Sequence, residues 1–275
     1  MRRKTFIVVL LLFLGCMREP VEVYRVNRGD TLSLGTMVGD LRTADVVVIG
    51  EIHDNPDSHL LQYEIIRSLH EEGIPMAIGL EMFRADDQRT LDAWIAGDME
   101  PDRFIAGFYR NWNVPWPLYR DIFLYAREHR IPLVGLNIPA SVSEGVAKNG
   151  FSSLTAEQRA RIPAGVTCNV DPRYREFIRK AYSGHSAASA GKFERFCEAQ
   201  LLWDQSMALR ITRFRAEHRD LLIVVLTGIG HAQRQGIPRY LTNYGKLTSR
   251  VILPMIPGEI EPHKVTTEEA DYLLL

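Results

Sequence analysis

Five short apolar runs limit what this chain can fold into: Val46-Val47-Val48-Ile49, Met76-Ala77-Ile78-Gly79-Leu80, Pro132-Leu133-Val134-Gly135-Leu136, Leu221-Leu222-Ile223-Val224-Val225-Leu226, and Val251-Ile252-Leu253 after Arg250. They are continuous and do not alternate with polar residues, so each reads as a strand covered on both faces of a parallel sheet. Helical periodicity fills the gaps. After the first run, Asn55-Pro56 supplies an N-cap and a first-turn proline; Leu61, Ile65 and Leu69 then share one face, and Gly73 offers a C-cap. Residues 91–130 read as largely helical, broken at Pro115 and Pro117. The repeated strand–helix order predicts an α/β fold, a parallel sheet flanked by helices. Residues 140–209 carry no convincing strand and are expected to form a smaller, mostly helical inserted lobe. The acidic tail from Glu259 to Leu275 reads as peripheral.

The first 15 residues read as an address. Arg2, Arg3 and Lys4 precede nine apolar residues, Phe6 to Leu14, the length of a signal-peptide core and too short for the roughly 20 residues that span a bilayer. Leu12-Phe13-Leu14-Gly15-Cys16 resembles a bacterial lipoprotein cleavage box, which implies lipidation of Cys16 and a location in the bacterial cell envelope, anchored to the outer membrane and facing the periplasm or the surface. Residues 16–30 are expected to be a lipidated tether, and residues 31–275 the α/β domain. The whole chain has a formal charge of −1; without the three cations of residues 1–15 it becomes −4. Neither value suits a nucleic-acid binder. Cys168 and Cys197 remain besides Cys16, and an oxidising compartment would let them pair if their geometry allows.

In open parallel sheets, ligands bind outside the carboxyl ends of the strands. Four successive strand ends deliver Glu51 and His53, then Glu81, then Asn137, then His231 to one edge. A carboxylate directly after an apolar strand is costly unless paired, so these residues are expected to form one site. Two chemistries suit them: a divalent metal on Glu51, His53, Glu81 and His231, or a glutamate and a histidine acting as general base and acid. Neither a Gly-x-Ser-x-Gly elbow nor a His-Glu-x-x-His helix is present. His59 either faces the site or lies on a helix surface. Gln200, Asp204 and Met207 share a helical face, from which Asp204 can reach the site or a helix end. Trp112, Trp116 and Tyr119 suit a flat-ligand pocket or, more ordinarily, core packing.

Taken together, these segments resemble the ChaN family of haem-binding lipoproteins, in a wider group with Tiki-type proteases and erythromycin esterases. The matching pieces are Gly50-Glu51-Ile52-His53-Asp54-Asn55-Pro56 with His59 and Gln62, Gly79-Leu80-Glu81-Met82-Phe83 with Gln88, and Trp112, Trp116 and Tyr119. They continue through Asn137-Ile138-Pro139, Ala199-Gln200 with Trp203-Asp204 and Met207-Ala208, and Gly230-His231-Ala232 with Gly236-Ile237-Pro238. The resemblance implies a lipid-anchored protein that binds haem and aids iron uptake, with haem held cofacially across a homodimer and passed to a receptor or transporter. It also implies a tyrosine on the iron with a histidine nearby, a known type of haem ligation. Tyr174, Tyr182 and His185 are the candidates, and Arg234 and Arg239 could meet the propionates or simply be solvated. The enzyme relatives imply instead that Glu51, His53, Glu81 and His231 form a catalytic or metal site for ester or peptide hydrolysis.

Overall fold

The structure, a computed structural model, describes residues 21–183 and 190–275. Cys16 and His185 therefore lie outside the described residues. The first elements are β1 (Glu22–Arg25), β2 (Asp30–Ser33), α1 (Leu34–Leu41), β3 (Val46–Glu51), α2 (Pro56–Glu71) and β4 (Met76–Arg84). Three helices follow, α3 (Gln88–Ala96), α4 (Pro101–Asn111) and α5 (Trp116–Glu128), then β5 (Leu133–Asn137). The lobe comprises α6 (Ala140–Asn149), α7 (Ala156–Ala160), α8 (Pro172–Ser183) and the first half of α9 (Ala190–Glu217). The chain closes with β6 (Leu222–Gly228), α10 (Ile229–Ala232), α11 (Ile237–Gly245), β7 (Ser249–Pro254) and β8 (Tyr272–Leu274).

All five apolar runs are strands of one eight-stranded sheet, in the order β2-β1-β8-β7-β3-β6-β4-β5. The strands β3 to β8 run parallel to one another; β1 is antiparallel to both β2 and β8. The α/β expectation therefore holds, with a mostly parallel sheet. Alternation explains its two covered faces. Val47, Ile49, Ile78, Leu80, Val224 and Leu226 point into one core with α1 to α5, whereas Val46, Val48, Ala77, Ile223 and Val225 point into the other with α9 and α11. Asn55 caps α2 through its side chain, with Pro56 in the first turn, because an N-cap oxygen satisfies an otherwise orphaned N–H. Gly73 follows at φ +72°.

Two expectations are corrected. The stretch read as tether reaches into the sheet, for Val23 pairs with Leu32 on one side and Leu274 on the other. The tail read as peripheral supplies β8, whose Tyr272, Leu273 and Leu274 are buried between β1 and β7. In both cases strands of three or four residues are too short to show a pattern by themselves and gain stability only from their neighbours.

The lobe has its own apolar cluster, including Val142, Val146, Tyr174, Ile178, Phe193, Leu201 and Leu202. Helix α9, 28 residues long, belongs to both bodies. Leu201 and Leu202 pack in the lobe, Met207, Ala208 and Ile211 on the sheet, and Asp204 sits at the junction. A disulfide joins Cys168 to Cys197 across the lobe.

Candidate functional site

Glu51 is the last residue of β3 and only 2% exposed. An ionised carboxylate there must be matched by donors, and three elements provide them. Tyr119 of α5 donates its hydroxyl to Oε1, His53 lies 2.9 Å from the same oxygen through Nδ1, and Gln62 of α2 donates Nε2–H to Oε2 at 2.8 Å. Trp112 Nε1–H in turn donates to the Tyr119 oxygen at 3.2 Å. Burial, reinforced by the Glu51 carboxylate, pushes the Tyr119 phenol far above the ordinary tyrosine range and keeps it a donor. His59 is buried, donates Nε2–H to the His53 carbonyl at 3.0 Å, and places Nδ1 3.7 Å from Glu51. It therefore faces the site and not the helix surface.

The second half is built from the other face of the sheet. Glu81, inside β4, is 6% exposed. Its Oε2 accepts from the Thr227 hydroxyl and from the Gly228 N–H at 2.7 Å, and its Oε1 lies 3.8 Å from His231 Nε2. The other ring nitrogen, Nδ1, is 2.7 Å from Asp204 Oδ1. Asp204 is fully buried, and its Oδ2 accepts from the Tyr174 hydroxyl at 2.9 Å. Burial opposes a charge on His231, but Glu81 and Asp204 outweigh it and hold the imidazole protonated with a pKa of about 9. Burial raises Asp204 as well, so this pair keeps its proton. Burial would also raise Glu81, yet His231, His53, Thr227 and the Gly228 N–H together hold it below the usual carboxylate range.

The two halves meet at Gly228. A Cβ there would lie 2.9 Å from His53 Cε1 and 3.0 Å from Nε2, so only glycine leaves room for that ring. The His53 side chain is 40% exposed and meets the Trp112 ring edge-on at 5.0 Å. Burial lowers its pKa, but the bond to Glu51 and the nearby Glu81 raise it further, giving a net upward shift. With Nδ1 on Glu51, the Cε1–Nε2 edge of the His53 ring lies against the Gly228 strand end, where Nε2 of the neutral ring carries the lone pair. The arrangement thus pairs a reachable base, His53, with a buried acid, His231, each oriented by its own carboxylate.

Glu51, His53, Glu81 and His231 are thus brought together, as the strand ends suggest, with Asp204 and His59 beside them. Asn137 is not among them functionally: its amide donates to the Glu81 backbone carbonyl at 2.9 Å and its oxygen accepts from the Ile138 N–H, so it ties β5 to β4. The metal expectation is corrected. Among the described residues, no group of three or more His, Cys, Asp or Glu side chains is arranged to hold an ion. The carboxylate oxygens that would be ligands already accept from Tyr119, Gln62, Thr227 and Gly228. Sequence reasoning missed the donors Gln62, Tyr119 and Thr227. Gln62 and Tyr119 stand among the segments quoted for the family resemblance, without an assigned role, and Thr227 carried no signal.

The three haem-ligand candidates separate. Tyr174 is buried and spends its hydroxyl on Asp204 and on the Gly230 carbonyl at 3.0 Å, so its phenol does not face a ligand. Tyr182 is half-buried against the Phe193 and Phe196 rings. His185 is outside the described residues. Arg234 is engaged by Asp271 and the Thr267 carbonyl, and Arg239 by Gln235; both line an open cleft with Asn169, Asp171 and Asn243.

Three solved structures share this architecture. ChaN of Campylobacter jejuni, a structure of cofacial haem binding, is similar with a TM-score of 0.73 at 18% identity, covering 94% of this chain and 97% of that one. The type III effector HopBA1 gives a TM-score of 0.52 at 13% identity over 87% and 91% of the two chains. A mutant of the erythromycin esterase EreC in its open conformation gives 0.52 at 14% over 87% and 78%. At such identities the likeness is one of fold. No curated protein matches the sequence. The family described as haem-binding uptake, Tiki superfamily, ChaN matches residues 37–241, a span that runs from α1 through the lobe to α11 and contains every residue of both carboxylate–histidine pairs, so the chain belongs to the ChaN family of haem-binding uptake proteins.

Proposed function

We propose that this protein is a lipid-anchored haem carrier of the bacterial envelope that contributes to iron uptake. The observation that carries the reading is the family match, which spans the helical lobe as well as strands β3 to β6. Haem is cargo here. Of the phenols considered, Tyr182 is the one whose hydroxyl is not committed to the Asp204 pair, so it would supply the iron ligand, with His185 three residues on. Ligation of this type leaves the other faces of the ring to be covered by apolar and aromatic side chains. Phe193 and Phe196, already packed on Tyr182, have that chemistry. The lipid on Cys16 would fix the carrier to the outer membrane, a homodimer would hold haem cofacially, and a receptor or transporter would receive it. Titrating the mature protein with haemin tests the reading. A saturable Soret shift at micromolar protein, weakened in Tyr182→Phe, is the expected result; no shift would refute haem binding.

A second reading is favoured by the geometry of the buried centre. Two carboxylate–imidazole pairs, one protonated and one reachable, suit general acid–base hydrolysis of an ester or peptide, with His53 activating water and His231 protonating the leaving group. A screen of ester and peptide substrates tests it, and activity that survives Glu51→Gln would remove this mechanism.

A further inference from the structure

The distance from Cys16 to the sheet is short. β1 starts at Glu22, six residues after Cys16. Six residues of extended chain span at most about 22 Å, whereas a chain of this size packs into a body roughly 45 Å across. A lipid on Cys16 therefore leaves the bilayer within reach of the end of the molecule where β1 starts, and out of reach of the opposite end.

The strand ladder identifies that end. β1 is antiparallel to β8 with Val23 opposite Leu274, so Glu22 lies beside Leu275, whose N–H donates to the Glu22 carbonyl at 3.0 Å. β8 is parallel to β7, and β7 to β3. The start of β1 is thus at the carboxyl ends of the parallel strands, the same edge that carries Glu51, His53 and His231. In the sheet order, three strand spacings separate β1 from β3, which at the usual separation of strands is about 14 Å.

Exposed apolar side chains gather at this place. Of the five large ones exposed on the described residues, Tyr109, Leu124 and Tyr244 are scattered over α4, α5 and α11, but Met255 and Leu275 stand together. Met255 directly follows β7 and donates its N–H to the Leu274 carbonyl at 2.9 Å. Because Pro254 is in register with Leu274, Met255 and Leu275 occupy the next register position and share one face of the sheet. Pro257 is exposed two residues further on, and Ile256 between them is half-buried. Single exposed apolar residues are ordinary, whereas a grouped set marks a contact surface. Glu22 and Glu259 are exposed at its margin, so the surface it fits carries no net negative charge, as a zwitterionic lipid headgroup layer does not.

We propose that the protein docks on the lipid bilayer through this end, with Met255 and Leu275 in the zwitterionic headgroup region and the His53 opening turned toward the membrane. The inference rests on the lipid anchor of the carrier reading and adds a direction to it. An amphipathic ligand held in the bilayer then meets the site without crossing open water.

The test couples the mature chain through Cys16 to phosphatidylcholine vesicles that carry maleimide-phosphatidylethanolamine. Of the three cysteines the other two are joined, so Cys16 supplies the thiol. A short pulse of hydroxyl radicals in the water phase then marks side chains according to their exposure, read by peptide mass, with Met255 scored as its sulfoxide. Relative to uncoupled chain beside the same vesicles, marking of Met255, Leu275 and His53 is expected to fall severalfold. Marking of His218, exposed just before β6 at the opposite edge, should stay the same. Equal marking in the two states would overturn the docking, as would a uniform fall that includes His218. A fall that grows with the density of chains on the vesicle would assign the face to a second copy and overturn it too. Met255→Glu with Leu275→Glu alters two exposed side chains and leaves the core untouched; coupled at Cys16, this variant should leave His53 open to marking. Protection of His53 equal to that of the wild type would overturn the part given to Met255 and Leu275. Coupling supplies the lipid whether or not the cell does, so the outcome is independent of the anchor itself, which the mass of the Cys16 peptide from the cell envelope decides.

Discussion

Raising the pH through the His231 titration should destabilise the folded chain by a calculable amount. Its pKa is raised from 6.5 to about 9, with Glu81 and Asp204 outweighing burial. A raised folded-state pKa means that the native state binds a proton more tightly than the unfolded chain does. The stability this provides is complete below pH 6.5 and lost as pH rises toward 9. Within that window, each pH unit removes about 1.4 kcal/mol, so the whole interval removes about 3 kcal/mol. For a chain of this size that is a fall of about 6–12 °C in Tm. His53 shifts the same way, but its side chain is 40% exposed and screened, so its part is smaller. The buried phenols Tyr119 and Tyr174 are raised too, but their unfolded counterparts titrate only near pH 10, above the window. Urea unfolding at constant ionic strength from pH 6 to 9.5 would follow the slope. Asp204→Asn keeps the shape of the site but removes one of the two attracting charges, so it should flatten the decline. Stability that stays level in the wild type between pH 6.5 and 9, or an equal slope in Asp204→Asn, would refute a His231 proton held by these carboxylates.

Two further outcomes follow from the geometry. Tyr119→Phe removes a buried donor to the Glu51 carboxyl group and leaves Trp112 Nε1 without its acceptor. Urea unfolding should show a loss of about 1.5–3 kcal/mol, the range for hydrogen bonds to charged groups. Gly228→Ala is compatible with the backbone, at φ −60° and ψ 150°, so its folding cost should be small. Its Cβ would displace the His53 ring, however, and the His53 imidazole titration should fall toward the ordinary value as Nδ1 leaves Glu51.

The strands β3 to β7 were legible because a strand buried on both faces must be apolar at every position, whatever it pairs with. The hairpin β1–β2 and the closing strand β8 were not, because Val23 is buried only through partners drawn from opposite ends of the chain, Leu32 and Leu274. The same division runs through the site. Glu51 and His231 could be read from their places after apolar runs, and Asp204 from its helical face. Their partners depend on which helix docks where. Tyr119 looks like a core aromatic until α5 packs beside β3. Tyr174 looks like a ligand on the lobe until α8 turns its hydroxyl inward onto Asp204.

The alternation of side chains across the sheet explains why the centre divides in two. Ile49 faces the core formed with α2 and α5, so Glu51, two residues on, faces it too, and Gln62 and Tyr119 come from that layer. Ala77 faces the opposite core, so Glu81, four residues on, does as well, and Asp204 reaches its neighbour His231 from α9. Only the sheet itself lies between these halves, at Thr227 and Gly228 on β6, the strand between β3 and β4. Glu51 is thus stabilised by donors from its own layer and Glu81 by donors on the sheet strand β6, while the two imidazoles, which both act on Glu81, are coupled through a strand end without a side chain. Because all three carboxylates share these two protonated or protonatable rings, substitutions among them should not add: neutralising one changes the charge that the others must balance.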